Sequence, residues 1–260
     1  MTINRYLKLF KSLIYYFYSS LILKTIYLKF VEALIIFFVS LLLIRFLGPS
    51  DYGKLNYIFS FVLILRPIYI FGTPAVMQAK LTRKKNSLVI INQLFTIQVL
   101  LFLLISFLSI LIFRNILLTE NLNLFLILQL SFGFRLFDIF TQSLFIFKKG
   151  VESVKISMFS SIKLLILIAI ILRLDLGLYF IALAYLINYI TDLAIIFLIL
   201  KNNSLSHLFF KLKFDFSSFS ANIKRSLPLA ASSFISIFLL KFDIILIKYF
   251  MGDFSAGIYS

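Results

Sequence analysis

The stretch LVIINQLFTIQVLLFLLISFLSILIF, residues 88–113, contains no charged side chain. Roughly 20 mostly apolar residues suffice for a helix to cross the hydrocarbon core of a bilayer. The chain has 62% hydrophobic residues and a mean hydropathy of +1.07, which leaves too little polar surface for a water-soluble globule. We find seven such stretches: 26–47, 55–76, 88–113, 122–147, 151–172, 176–200 and 227–250. The sequence therefore predicts an all-α fold, a polytopic membrane helical bundle.

Basic residues lie between every second pair of spans. Sixteen of the 26 Lys and Arg residues fall in the N-terminal tail and in the segments 80–85, 148–155 and 201–225, whereas the alternate loops hold five. By the positive-inside rule, the N-terminus is cytoplasmic and the seventh span ends outside the cell membrane. Because the +16 net charge is divided among segments beside spans, it favours contact with membrane lipid headgroups and argues against nucleic acid.

A turn with two glycines follows both the first and the seventh span. Residues 46–53 (FLGPSDYG) and 250–257 (FMGDFSAG) match at a constant offset of 204. The spacing suits a tight exterior turn in which glycine adopts a positive φ. Six spans separate the copies, so both follow spans running in the same direction, as in parallel repeats related by an axis along the membrane normal.

The repeat divides the chain into four predicted parts. Residues 1–25 form a cytoplasmic amphipathic N-terminal segment, 26–200 a six-span N-terminal lobe, 201–226 a cytoplasmic inter-lobe loop, and 227–260 the first span and turn of a C-terminal lobe. The chain ends within the first element of this second lobe. We therefore expect an incomplete two-lobed exporter fold.

Both turns resemble the motifs of a known family. Residues 45–53 (RFLGPSDYG) look like the R-x-L-G-x-x-x-Y/F-G signature after the first span of polysaccharide exporters of the O-antigen flippase type. Residues 226–230 (SLPLA), 241–243 (KFD) and 257–260 (GIYS) resemble the seventh-span motif of that family. The resemblance covers the chain in span order, although family members usually carry more spans.

The resemblance implies a flippase of the multidrug/oligosaccharidyl-lipid/polysaccharide exporter superfamily. Such a protein would move a polyprenyl-pyrophosphate-linked oligosaccharide from the cytoplasmic to the outer leaflet of the cytoplasmic membrane, for surface polysaccharides such as the O-antigen of lipopolysaccharide. A polysaccharide polymerase and chain-length proteins would be its protein partners.

Ionisable side chains occur near the middle of several spans, where each costs about 2.5–3.5 kcal/mol to insert and usually faces a cavity or a partner. Arg66, Arg135 and Lys163 lie at one depth, and we predict that they bind the substrate. With Asp138 subtracted, their net positive charge favours an anionic pyrophosphate over a cationic drug. Arg135 and Asp138, three residues apart, could equally neutralise each other in a packed bundle.

Three acids, Asp138, Asp192 and Asp243, are predicted to be ion-coupling or structural residues. Asp192 could relay a proton or hold Na⁺, or a neighbouring helix could satisfy it. Asp243 could face a cavity or form a structural pair between lobes. Polar residues share a face with these charges on the fourth to sixth spans, at positions Gln142, Ser157, Ser160, Tyr185 and Asn188.

Local sequence also predicts two details of the spans. Glu32 lies one turn from Lys29, where the two can pair. Pro67, Gly72 and Pro74 predict a kink or local unwinding of the second span, which could serve as a hinge.

Two other functions are alternatives to the flippase. A cation-coupled drug or small-molecule antiporter of the same fold would need an acidic cavity, and the three midplane cations argue against it. A membrane-embedded enzyme would need clustered carboxylates or histidines, or a long polar loop. The single histidine, His207, lies in a basic loop, and no phosphate loop, nucleotide motif, cysteine or metal-ligand cluster occurs. We expect no enzymatic activity, cofactor or metal site; an inactive fragment is the remaining alternative.

Overall fold

The computed structural model describes residues 21–81, 87–114, 119–146, 150–202 and 216–260. In these ranges the chain is helical almost throughout and contains no strand. The helices are α1 Leu21–Ile70, α2 Thr73–Leu81, α3 Ser87–Phe113, α4 Thr119–Phe134, α5 Asp138–Ile146, α6 Gly150–Arg173, α7 Leu178–Asn202 and α8 Phe216–Tyr259. A 3₁₀ turn, Arg135–Phe137, separates α4 from α5. Most of the predicted N-terminal segment and of the loop carrying His207 lies outside the described residues.

Six helical segments in the described part of the chain are long and apolar enough to cross a membrane. The first, Leu23–Lys80, has 58 residues and contains two of the predicted spans, 26–47 and 55–76. A straight helix of that length would measure about 87 Å, nearly three times the thickness of the hydrocarbon core. The chain therefore breaks at Gly48, where φ is 71° and ψ is 170°. The prediction of an all-α polytopic membrane bundle is confirmed.

The two copies of the glycine turn have the same backbone shape. Gly252 interrupts α8 with φ 84° and ψ 177°, close to the angles of Gly48. The predicted positive φ is thus confirmed for the first glycine of each copy. The second glycines, Gly53 and Gly257, lie in regular helix and serve close packing instead.

The two copies pack against each other where α1 crosses α8. A Cβ atom added to Gly53 would lie 2.0 Å from the carbonyl oxygen of Asp253, and one added to Gly257 would lie 1.8 Å from that of Pro49. Pro49 and Asp253 are equivalent at the offset of 204, and so are Gly53 and Gly257. Exchanging the two copies therefore turns one contact into the other, which is the relation produced by a local two-fold axis. We call this contact the glycine crossing.

Further contacts show that α8 runs antiparallel to the second half of α1. Beside the glycine crossing, Asn56 Nδ2 donates to Ser260 Oγ over 3.1 Å. Near the opposite end, a Cβ atom on Gly72 would lie 2.8 Å from Leu229 Cβ. The predicted unwinding of the second span is found here, since α1 ends at Ile70 and Gly72 has a φ of 61°.

The buried side chains form two apolar clusters. One joins α2, α3 and α5 and includes Met77 and Phe140, and the other joins α1, α4 and α6 and includes Ile58 and Phe125. Outside these clusters, large apolar side chains cover the outer surface of the helices; Phe107 on α3, for example, is 64% exposed. Such a surface suits lipid, and the chain is a multi-pass membrane protein.

Candidate functional site

Two of the predicted substrate-binding cations meet at the ring of Phe132. The Cζ atom of Arg66 lies 5.9 Å from the ring centroid and that of Arg135 lies 5.8 Å from it, so the two guanidinium groups are at most about 12 Å apart. Arg135 Cζ also lies 5.1 Å from the centroid of Tyr189 on α7. Aromatic faces attract guanidinium groups, which reduces the cost of holding two like charges inside the bundle. We call these four residues the arginine–aromatic cluster.

Arg66 takes part in none of the ion pairs found among the described residues. Its Nε is buried and makes no hydrogen bond there. Tyr69, one turn further along α1, is 1% exposed, and its hydroxyl also lacks a partner in this part of the chain. A buried polar group left without a partner costs about 1–3 kcal/mol. Arg66 and Tyr69 therefore offer two buried donors to a ligand that carries acceptor atoms.

Arg135 forms an ion pair with Asp138 across the 3₁₀ turn. The distance from Nε to Oδ2 is 3.1 Å, and each side chain is 32% exposed. The pair that the spacing predicted is therefore present. Because neither side chain is fully enclosed, Arg135 can still approach a ligand while it keeps Asp138 as a neighbour.

Lys163 on α6 is paired with an acid on the neighbouring helix α7. Its Nζ lies 2.7 Å from Asp192 Oδ1 and also donates to the carbonyl oxygen of Asn188, at 3.0 Å, and to the hydroxyl of Thr191. Ser160 donates to the other oxygen of Asp192, at 2.5 Å. A neighbouring helix thus satisfies Asp192, and the three donors of the ammonium group are all used.

Asp243 lies on α8, outside the arginine–aromatic cluster and outside the ion pairs described above. It accepts a hydrogen bond from the hydroxyl of Tyr259, which reaches it from beyond the turn at Gly252. The equivalent positions of the first copy are Val39 and Leu55, which belong to one buried apolar cluster. Both copies contain the turn. In the first copy these positions belong to an apolar cluster, and in the second they form a hydrogen-bonded pair.

A cavity of about 400 Å³ lies between α1, α5, α6 and α7. We call it the bundle cavity. Lys29 and Glu32 line it at the predicted cytoplasmic end of α1, and Arg135 lines it at the predicted middle of the membrane. Arg66 and Lys163 are not among its lining residues, so the structure places one of the three predicted binding cations in its wall.

The end of the cavity near Glu32 is tied together by polar contacts. Lys29 Nζ lies 2.6 Å from Glu32 Oε2, which confirms the predicted pair. Ser157 on α6 donates to the same carboxylate oxygen over 2.9 Å. These bonds link α1 to α6 without closing the space beside them.

Sequence reasoning found the charged residues but missed the aromatic ones. Phe132, Tyr69 and Tyr189 gave no sequence signal, because the chain contains 33 Phe and 13 Tyr residues and no local pattern sets these three apart from the others. Phe132 and Tyr189 are distinguished only by the position of their rings beside guanidinium groups, and Tyr69 only by a buried hydroxyl without a partner among the described residues.

Comparison with known proteins gives one match. The model of a family described as polysaccharide biosynthesis protein matches residues 20–260. Neither the search of curated proteins nor that of solved structures found a match.

Proposed function

We propose that this chain, which belongs to the polysaccharide biosynthesis protein family, acts as a flippase for a polyprenyl-pyrophosphate-linked oligosaccharide. The family supports a role in polysaccharide synthesis or export, and the multi-pass helical structure favours a transporter over an enzyme. The observation that carries the proposal is the arginine–aromatic cluster, in which Arg66 is held inside the bundle outside any ion pair of the described residues.

The charge balance of the bundle points to Arg66 as the main binding group. Arg135 is paired with Asp138 and Lys163 with Asp192, so the three predicted cations and these two acids leave one net positive charge. A pyrophosphate carries acceptor oxygens only, and the fork of a guanidinium group can donate to two of them at once. Arg66 would bind the head group, Arg135 would join it from its place beside Asp138, and Lys163 would contribute only when its pair with Asp192 opens.

The proposed transport step requires the α1–α8 contact to open at its predicted outer end. The head group enters from the cytoplasmic side, binds the arginine–aromatic cluster and leaves outward, while the lipid tail stays in the bilayer. The glycine crossing lies at the predicted outer end and would have to separate for release. An inside-negative potential favours this direction, since two negative charges crossing 100 mV gain about 4–5 kcal/mol at roughly 2.3 kcal/mol per charge.

The proposal includes the orientation inferred from the basic residues, with the N-terminus in the cytoplasm and the protein in the cytoplasmic membrane. It also includes assembly with a polysaccharide polymerase and chain-length proteins, which would receive the flipped units.

A cation-coupled antiporter is the second candidate. The observation that favours it is that Glu32, Asp138 and Asp192 all line the bundle cavity. In that case Asp138 and Asp192 would each release a basic partner and bind a proton or Na⁺ during the cycle. Asp243 would likewise release the hydroxyl of Tyr259 and bind the ion. The flippase is preferred because each of these acids has a partner, whereas the guanidinium of Arg66 forms no ion pair within the described ranges.

The decisive experiment compares binding of two lipids to the purified chain in detergent. Polyprenyl pyrophosphate should raise the melting temperature of the natural sequence, and uncharged polyprenol of the same length should not. Arg66→Gln should abolish the difference. Arg173→Gln, the same change at an exposed residue that ends α6, is the matched control and should leave it intact. An unchanged response to pyrophosphate in Arg66→Gln would refute the binding role.

A further inference from the structure

The ring of Phe102 on α3 contacts both chain segments that carry the arginines of the arginine–aromatic cluster. It meets the ring of Tyr69 on α1 edge to face, with centroids 5.2 Å apart and an interplanar angle of 87°. It also lies against Gly133 of α4, where an added Cβ atom would come within 2.6 Å of Phe102 Cζ. One side chain of α3 therefore packs on α1 and on α4 at the same time.

Each of these contacts lies close in sequence to an arginine. Tyr69 follows Arg66 by three residues, so the two are neighbours on one face of α1. Gly133 directly follows Phe132 and precedes Arg135 by two residues. The guanidinium carbons of both arginines lie 5.9 Å and 5.8 Å from the centroid of the Phe132 ring. A shift of the Phe102 ring is therefore transmitted to both sides of the cluster.

Gly133 makes the close approach of the Phe102 ring possible. It lies within α4 and is not among the glycines with a positive φ, so its role is packing rather than backbone conformation. Three atoms of the Phe102 ring would lie 2.6 Å, 2.9 Å and 3.4 Å from a Cβ atom at this position. Any larger residue in place of Gly133 must therefore displace the ring.

Polar bonds about one turn away on each side hold α3 in this position. Ser106, four residues after Phe102, accepts a hydrogen bond of 3.2 Å from Gln129 Nε2 on α4. Gln98, four residues before Phe102, donates through Nε2 to the hydroxyl of Thr73 at the start of α2. The ring is thus placed between two bonds that join α3 to its neighbours.

We infer that Phe102 is a positioning residue, which sets the separation of Arg66 and Arg135 so that one ligand reaches both guanidinium groups. The inference rests on the proposed function, because it takes the ligand to be an anion with two linked phosphates. Each guanidinium fork can then bind one phosphate. A preference for a diphosphate over a monophosphate should therefore depend on Phe102, which belongs neither to the arginine–aromatic cluster nor to the lining of the bundle cavity.

The test is the ratio of the affinities for polyprenyl pyrophosphate and polyprenyl phosphate, measured by native mass spectrometry on the purified chain. A hydrogen bond between charged groups corresponds to about a 10-fold to 100-fold gain in affinity, which is the preference expected of the natural chain. Phe102→Leu removes the ring and should abolish most of that preference. The two lipids are the same for every variant, so their difference in charge does not affect the comparison.

Gly133→Ala displaces the same ring by a second route. The added Cβ atom meets the ring, so this change alone should also reduce the preference for pyrophosphate. Leucine at position 102 lacks the clashing ring atoms, so Gly133→Ala should have no further effect in the Phe102→Leu background. Losses that add up in the double variant would show that the two residues act separately and would overturn the inference.

Phe107→Leu is the matched control. It is the same substitution on the same helix, at a side chain that is 64% exposed, and it should leave the preference unchanged. An equal fall in the affinities for both lipids in Phe102→Leu, with their ratio intact, would show that Phe102 only stabilises the fold. That result also overturns the inference, as does equal affinity of the natural chain for the two lipids.

Failure of the inference can be told apart from failure of the proposed function. If the natural chain binds neither lipid, or if Arg66→Gln binds both as the natural chain does, the proposed function fails and the inference fails with it. If Arg66→Gln loses the preference for pyrophosphate while Phe102→Leu and Gly133→Ala keep it, the proposed function stands and the positioning role is refuted.

Discussion

Replacing Gly53 and Gly257 by alanine should force α1 and α8 apart at the glycine crossing. An ordinary contact of a Cβ atom is at least 3.4 Å, but the added atoms would lie 2.0 Å and 1.8 Å from backbone oxygens. The backbones must therefore separate by about 1.4 Å at Gly53 and about 1.6 Å at Gly257. No rotamer change relieves the clash, because the obstacle on each side is main chain.

The energetic effect follows from overpacking. Such clashes cost about 1–3 kcal/mol each, and the gain in helix propensity from Gly to Ala recovers at most about 1 kcal/mol. With two clashes and a recovery of about 1 kcal/mol at each of the two positions, the double variant should weaken the α1–α8 contact by up to about 4 kcal/mol.

Cross-linking measures this directly, since the chain contains no cysteine. Asn56 Nδ2 and Ser260 Oγ lie 3.1 Å apart beside the crossing, so the pair Asn56→Cys with Ser260→Cys should be joined efficiently by a short bifunctional thiol reagent. The Gly53→Ala/Gly257→Ala background should lower both the rate and the yield of this cross-link. A pair at Lys80 and Asn222, whose side chains bond near the opposite end, should be affected less.

Gly48→Ala is the matched control within the same motif. No described atom lies within 4 Å of a Cβ atom there, so this change adds no clash. It adds only the strain of a backbone region that is almost confined to glycine, about 1–3 kcal/mol. Cross-linking between positions 56 and 260 that is as fast in the double alanine variant as in the natural background would refute the packing argument.

Three further outcomes are expected. Arg135→Gln leaves Asp138 without its basic partner and should lower the melting temperature modestly, because each side chain of the pair is 32% exposed. Adding Asp138→Asn should restore stability without restoring pyrophosphate binding. Lys163→Met should destabilise more, since its pair with Asp192 is only 20% and 15% exposed, and Asp192→Asn should compensate. In intact cells, an impermeant thiol reagent should label a cysteine that replaces Glu120, because this position is predicted to lie outside. It should not label cysteines that replace Lys84, Lys149 or His207, which are predicted to lie in the cytoplasm. Labelling at position 149, or thermal curves unchanged by the two charge substitutions, would contradict these expectations.

Much of the fold follows from local features of the sequence. A span is recognised from the length and hydropathy of a single segment, so all seven stretches could be placed before any contact was known. The turns at Gly48 and Gly252 were equally accessible, because their repetition at a fixed offset and the preference of glycine for positive φ are local properties.

The candidate site was predictable only in part. Arg66, Arg135 and Lys163 stand out because a charge within a span is rare and costly. The sequence did not reveal which of these charges lacks an acidic partner. Lys163 is paired with an acid on the next helix, whereas Arg66 forms no ion pair with any residue that the structure describes. Sequence spacing predicts which residues are neighbours on one helix, but it does not predict which residues on different helices come together.

The sequence by itself therefore determined the class of protein, the positions of the spans and the residues that carry charge into the membrane. Only the tertiary structure decided that the two glycine turns meet each other, that Phe132 brings Arg66 and Arg135 together, and that Gln142 and Asn188 lie in the wall of one cavity. The physical reason is that these features depend on which helix faces lie against each other. That choice is made by close packing of the whole bundle rather than by the pattern of any single helix.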